Sequence, residues 1–103
     1  MQYSRSGLEG DVVQYSISGD FTIFFLNNIK LDIEKDIASG RVSSLVFDMR
    51  SVNYIDSAAI SLLIMSGKYN DTKGKRLIIK NPTDVVRRII DNAELSFVDY
   101  INE

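Results

Sequence analysis

The sequence predicts an α/β domain: a small mixed sheet of about four to five strands carrying helices, in the order β-β-α-β-α-β-α with a short terminal element. Three observations carry this. Leu45-Val46-Phe47 and Leu77-Ile78-Ile79 are short continuous apolar runs, the pattern of strands covered on both faces. Val13, Tyr15 and Ile17 alternate with Gln14, Ser16 and Ser18, the period of a half-buried strand. Between and after these runs lie stretches with helical spacing of apolar residues, so the later strands are joined by βαβ crossovers and run parallel. The 103 residues suffice for one domain, 1–103, and no linker or internal repeat divides them.

Each element has its own signature. Strands are expected over about residues 2–6 and 11–18, with Gly7 and Glu9-Gly10-Asp11 supplying the turn. Gly19-Asp20-Phe21-Thr22 breaks the second strand, and a helix follows from about Ile23 to Ala38 on a stripe of Leu26, Ile29, Ile33 and Ile37. Ser39-Gly40 ends it, glycine suiting the left-handed C-terminal position. After Leu45–Phe47 a short loop, Val52-Asn53-Tyr54-Ile55, leads to a helix that opens after Asp56 and reaches about Tyr69 or Asn70. After Leu77–Ile79, Asn81 as cap and Pro82 at the first helical position start a third helix, with Val85, Val86, Ile89 and Ile90 on its buried face and Asn92 closing it. The tail from Leu95 to Ile101 is apolar enough to pack back as a short strand.

Composition narrows the chemistry. There are no cysteines and no histidines, which removes thiol catalysis, disulfides, thiolate and imidazole metal sites and the usual general base. A catalyst would need a carboxylate pair such as Asp48 and Asp56, and nothing in the spacing brings them together. No cofactor and no metal ion is expected. A net charge of −2 argues against a nucleic-acid footprint, and the basic run Lys73, Lys75, Arg76 and Lys80 reads as a solvated loop and strand flank. No apolar run is long enough to span a bilayer, and Met1–Arg5 leads into no signal-peptide core, so a cytoplasmic protein without membrane insertion is expected.

The segment Leu45–Lys68 is the most informative. It places Asp56-Ser57 at a helix start, where either residue could serve as the cap. At roughly 100° per residue, Ala59, Leu62, Leu63 and Ser66 share one side of that helix, and Ser57, Ser61, Ile64 and Lys68 share the other, flanked by Ile60 and Met65. If the first side faces the sheet, the second presents an apolar patch beside Ser57, with small residues at 57, 58, 59 and 61 that let another protein approach closely. The alternative is a helix buried nearly all round.

The wider pattern resembles the STAS domain family, and within it the bacterial anti-sigma factor antagonists. Their hallmark is a strand, a short loop, then Asp-Ser-Ser/Thr-Gly-Leu opening an apolar helix. Here Phe47-Asp48-Met49, Val52–Ile55 and Asp56-Ser57-Ala58-Ala59-Ile60 stand in those places. Gly19-Asp20-Phe21 stands where the family has Gly-Glu-Leu, and Gly74–Ile79 and Asn81-Pro82 resemble its late strand and next helix. The resemblance implies a non-enzymatic antagonist that works by partner switching. The unmodified form binds an anti-sigma factor that is also a serine kinase, and so frees the sigma factor; phosphorylation of Ser57 releases the partner, and a serine phosphatase resets it. Taken together with the helical stripe of Ser57, Ser61 and Ile64, it points to a partner surface of Asp20, Thr22, Asp56, Ser57, Ala58, Ser61 and Ile64.

Departures from the pattern are Ala58 for the second hydroxyl residue, Ala59 for glycine and Thr22 for an acidic residue. The first leaves Ser57 as the acceptor; the last bears on which partner is bound. Asp-Ser-Ala before a Leu-rich helix also resembles the small STAS subunit of lipid-transport ABC complexes. That implies an alternative, a constitutive subunit docked on an ATPase.

Overall fold

The computed structural model describes residues 1–103. Its strands are β1 (Gln2–Leu8), β2 (Val12–Phe21), β3 (Ser44–Ile55), β4 (Leu77–Lys80) and β5 (Val98–Ile101); its helices are α1 (Asn27–Ser39), α2 (Ser57–Thr72) and α3 (Asp84–Asn92). The strands form one sheet in the order β1-β2-β3-β4-β5. β1 pairs antiparallel with β2, and every later pair is parallel. This is the mixed α/β architecture expected from the hydrophobic runs, and the expected tail strand is β5.

One hydrophobic cluster joins Val13, Tyr15 and Ile17 of β2, Leu45 and Phe47 of β3, Ile29 and Ile33 of α1, Leu62 and Leu63 of α2, and Val86 and Ile90 of α3. All three helices therefore contribute to the same core. The alternate residues of β2, Gln14, Ser16 and Ser18, are only half-buried. Gly67 lets the Phe97 ring lie against α2: a Cβ there would sit 2.5 Å from a ring carbon.

Several boundaries differ from the sequence expectation, each for a local reason. β2 does not break at Gly19 but continues to Phe21, and Val52–Ile55 is not a loop but the end of β3. The two stretches pair with each other through register shifts: Ser16–Ser18 faces Asp48–Ser51, and Gly19–Asp20 faces Val52–Tyr54, so β3 carries an extra residue at each point. The shifts change which residues point inward. Met49, Val52 and Ile55 are buried, a spacing of three that resembles neither a strand nor a helix in the sequence.

The first helix begins at Asn27, not Ile23. Ile23–Phe25 form a separate 3-10 turn closed by the Phe25 N–H donating to the Thr22 carbonyl at 2.9 Å. The third helix is capped by Thr83 rather than Asn81; Thr83 Oγ1 accepts from the Val86 N–H at 3.3 Å. The Asn81 side-chain oxygen is occupied elsewhere, accepting from the Glu103 N–H at 2.7 Å, and Pro82 precedes the cap. α2 ends at Thr72, a little beyond the expected position.

A polar cluster under α1 was not legible in the sequence. Asp36 is buried on the helix, accepting from the Tyr15 hydroxyl and from both Arg5 Nε and Nη2 at 3.0 and 2.6 Å. One turn earlier, Asp32 accepts from the Tyr3 hydroxyl at 2.6 Å. That hydrogen bond, partial burial and the adjacent carboxylate charge push Tyr3 from 10.0 up to about 12. Burial first, then the bond to Asp36, push Tyr15 higher still. These groups hold their protons in the fold after the unfolded chain begins to release them near pH 10. Their contribution to stability is therefore complete below about pH 10 and is lost as pH rises through the folded-state values. The urea midpoint is expected to fall as pH is raised from about 10 to 12, and Tyr3→Phe, followed by denaturant titration across the same range, should remove part of that fall.

Candidate functional site

The site is built where β2 and β3 end together and α2 begins. The register brings Asp20 beside Tyr54 and Phe21 beside Ile55, and the Asp56 N–H donates to the Phe21 carbonyl at 3.4 Å. Asp56, not Ser57, is the cap. One of its oxygens, Oδ1, accepts from the Ala59 N–H at 3.0 Å, a standard N-cap bond. The other, Oδ2, accepts from the Ile23 N–H at 2.9 Å. One carboxylate thus ties the first turn of α2 to the Ile23–Phe25 turn before α1.

Burial acts to raise the Asp56 pKa, but the backbone N–H groups of Ile23, Ala59, Ala58 and Asp56 itself outweigh it and hold the carboxyl below its ordinary value. The group is therefore an anion at neutral pH. Ser57, relieved of capping, is exposed at the first helical position. Its carbonyl accepts from Ser61 Oγ, one turn on, at 3.1 Å.

The remaining residues singled out from the sequence fall as follows. Ser61 and Lys68 are exposed, and Ala58, Ile60, Ile64 and Met65 are half-buried. Ala59, Leu62, Leu63 and Ser66 are fully buried on the opposite side. Asp20 is exposed and Thr22 half-buried at the base of the adjoining turn. Asp20, Thr22, Asp56, Ser57, Ala58 and Ser61 therefore belong to one end of the sheet, with Ile64 about two turns along α2. Asp48 does not join them: its carboxylate accepts from the Arg50 N–H at 3.0 Å and shares no partner with Asp56. No group of three or more carboxylate side chains is placed to hold a metal ion, and no helix is long and apolar enough to cross a membrane.

The sequence reading missed the turn itself. Ile23, Phe24 and Phe25 are 62%, 87% and 50% exposed, and Tyr54, opposite Asp20 on β3, is 49% exposed. The signal was present: with Leu26 they make four consecutive large apolar residues, which a single turn cannot aim at one core. Between this turn and α2 runs a groove of about 390 Å³, lined by Ile23, Leu26, Asn27 and Lys30 on one side and Ala58, Ser61, Leu62 and Met65 on the other.

The STAS domain model matches residues 7–102, nearly the whole chain. The chain belongs to the STAS domain family. Among solved structures, this STAS domain is similar to the anti-sigma factor antagonist SpoIIAA in its unphosphorylated form, at 17% identity and a TM-score of 0.85 over 99% of this chain and 90% of that one. It is similar to the phosphorylated form of SpoIIAA from Bacillus, at 16% identity and a TM-score of 0.79 over 99% and 93%. It is also similar to a putative anti-sigma factor antagonist from Thermotoga maritima, at 17% identity and a TM-score of 0.82 over 98% and 86%. At these identities the likeness establishes the fold. The residues that act in it have to be argued from this STAS domain's own geometry.

The double acceptor role of Asp56 yields a test. In Asp56→Asn the amide oxygen can still cap Ala59, but the amide nitrogen would meet the Ile23 N–H donor to donor. The variant should lose about 1 kcal/mol at pH 7. Because the folded-state pKa is depressed, the wild-type advantage is complete above the unfolded value near 4 and fades as pH falls through the folded one. Urea midpoints of both proteins at pH 7 and in acid should converge at the lower pH.

Proposed function

We propose that this protein is an anti-sigma factor antagonist controlled by phosphorylation of Ser57. Its unmodified form binds an anti-sigma factor that is also a serine kinase, which frees the sigma factor. Modification of Ser57 releases that partner, and a serine phosphatase restores binding. On this reading the domain is a binding protein and a kinase substrate, not a catalyst, and it works in the cytoplasm without contacting nucleic acid. The single domain spans residues 1–103.

The observation that carries the reading is the division of labour at the start of α2: Asp56 does the capping, and Ser57 is left exposed beside it. A phosphate adds about −1.5 to −2 charges at pH 7. At a helix N-terminus the fold accommodates an anion, because unpaired N–H groups and the helix dipole favour it. A partner fitted to a hydroxyl does not. There the phosphate stands beside an ionised Asp56, adds charge that must be desolvated and occupies the space the partner would fill. A loss of about 3–5 kcal/mol, roughly 10²- to 10⁴-fold in affinity, is enough to switch occupancy between partners. The likeness to SpoIIAA in both its phosphorylated and unphosphorylated forms supports a fold that accepts this change. The partner surface on this reading comprises Asp20, Thr22, Asp56, Ser57, Ala58, Ser61 and Ile64.

Incubated with its cognate kinase and ATP, the protein should gain one phosphate, located on Ser57 by mass spectrometry of its peptides. Ser57→Ala should abolish that gain and still bind, since a methyl group fits where a hydroxyl did. Ser57→Asp should bind less well, though a single carboxylate carries less charge than a phosphate. Modification at Ser61 would relocate the site. No modification, with equal binding by all three forms, would favour a constitutive subunit docked on a partner such as a transporter ATPase.

A further inference from the structure

We infer that the free edge of β1 pairs with the same edge of a second copy of this chain, antiparallel about a two-fold axis at Ser4, giving a weak dimer with one continuous sheet. No residue of α2 takes part, so the inference stands apart from the reading of Ser57. β1 is the outermost strand and pairs only with β2. No loop backbone bonds to residues 2–8, and every one of them except Tyr3 is exposed. Edges that stay single are normally guarded by shortness, bulges, proline or outward-pointing charge. β1 has none of these. It runs seven residues in unbroken register with β2, contains no proline, and its one charge, Arg5, is bonded to Asp36 on α1. The opposite edge, β5, is four residues long and carries Asp99.

The side chains select a second copy as the occupant. Tyr3 and Arg5 reach Asp32 and Asp36 on α1, so by strand alternation Gln2, Ser4 and Ser6 point to the other face. The three crossovers advance in one direction across the sheet, so right-handed connections put every helix on the same side and leave that other face uncovered. Pairing about Ser4 sets Ser4 against Ser4 and Gln2 against Ser6 there, partners that can hydrogen-bond.

On the helix face the same register sets Arg5 of each copy against Tyr3 of the other, beside the Asp32 carboxylate to which Tyr3 donates. The Arg5 side chain is 45% exposed despite its bond to Asp36, so a cation meets an anion across the axis, twice by symmetry. An axis at Arg5 would set like charges opposite one another, and an axis at Ser6 would bring Glu9 against Tyr3 and Asp32. With the axis at Ser4, Glu9 and Asp11 of the turn lie beyond the paired stretch. An unrelated extended peptide would have to carry this pattern; β1 carries it already.

The test is sedimentation equilibrium of the full-length protein over about 10 μM to 1 mM, because a strand pair alone is a small contact that associates weakly. A reversible monomer–dimer equilibrium is expected. Ser4→Lys sets two ammonium groups at the axis and should weaken dimerisation about fivefold or more, with an unchanged urea midpoint for the monomer. Ile101→Ser, on the opposite edge, should dimerise like wild type. The chain has no cysteine, so Ser4→Cys introduces a single thiol. At the axis the two Cα atoms would stand about 4.5–5.5 Å apart, within disulfide reach, and mild oxidation should cross-link them. Ser6→Cys, whose two positions would lie about 14 Å apart along the strands, should not cross-link. The inference is overturned by a monomer throughout that range, by a dimer that Ser4→Lys leaves unchanged, or by faster cross-linking of Ser6→Cys than of Ser4→Cys.

Discussion

The Asp56 carboxylate accepts a hydrogen bond from Ala59 in α2 and another from Ile23 in the turn before α1, and the geometry of the site depends on that pair. A helix start and a loop from elsewhere in the chain share one anion. The backbone donors around that anion keep it ionised, since their favourable interaction exceeds the penalty of partial burial. The same bonds release Ser57 from structural duty. Because the Ser57 hydroxyl stands next to the capping group and is not itself the cap, a change at Ser57 need not remove a helix cap.

The sheet supplies the platform for this arrangement. β3 is extended by its two register shifts against β2, and both strands reach the same end of the molecule, where Phe21 and Ile55 pair. Phe21 and Ile55 are buried there, so the backbone entering Asp56 is anchored by apolar contacts before the helix begins. At the other end of α2, Asn70 is fully buried and bonds both backbone groups of Leu45, accepting from its N–H at 2.8 Å and donating to its carbonyl at 2.9 Å. The helix is therefore tied to β3 at its far end by a side chain whose polar groups are satisfied, as a buried amide requires.

Much of this was legible in the sequence where a pattern had one cause. Leu45–Phe47 and Leu77–Ile79 read as covered strands because every residue in them is apolar. The phase of α2 was legible because Ala59, Leu62, Leu63 and Ser66 lie on one side at helical spacing, and they are buried. The strand residues Val52–Ile55 read as a loop because the register shifts replace alternation with a spacing of three. Asp36 and Asn70 were hidden because a buried polar residue is recognisable only once its partner, distant in sequence, is known. Phe24 fell within the span expected for the first helix, since proximity to Leu26 and Ile29 in sequence resembles continuity of a helix. At the site, Asp56-Ser57 was visible as a helix start, but which of the two caps was settled by the bond from Ala59. The link to Ile23, 33 residues away, was not accessible from local pattern at all.

The central claim is that one phosphate on Ser57 changes what this surface binds while the domain remains intact. Its most direct test measures both quantities on the same preparations, unmodified and stoichiometrically phosphorylated: the urea midpoint, and the affinity for the anti-sigma kinase. The account predicts midpoints that agree within about 1 kcal/mol of stability and an affinity lower by roughly 10²- to 10⁴-fold. Equal affinity, or a loss of binding accompanied by unfolding of the phosphorylated domain, would contradict it.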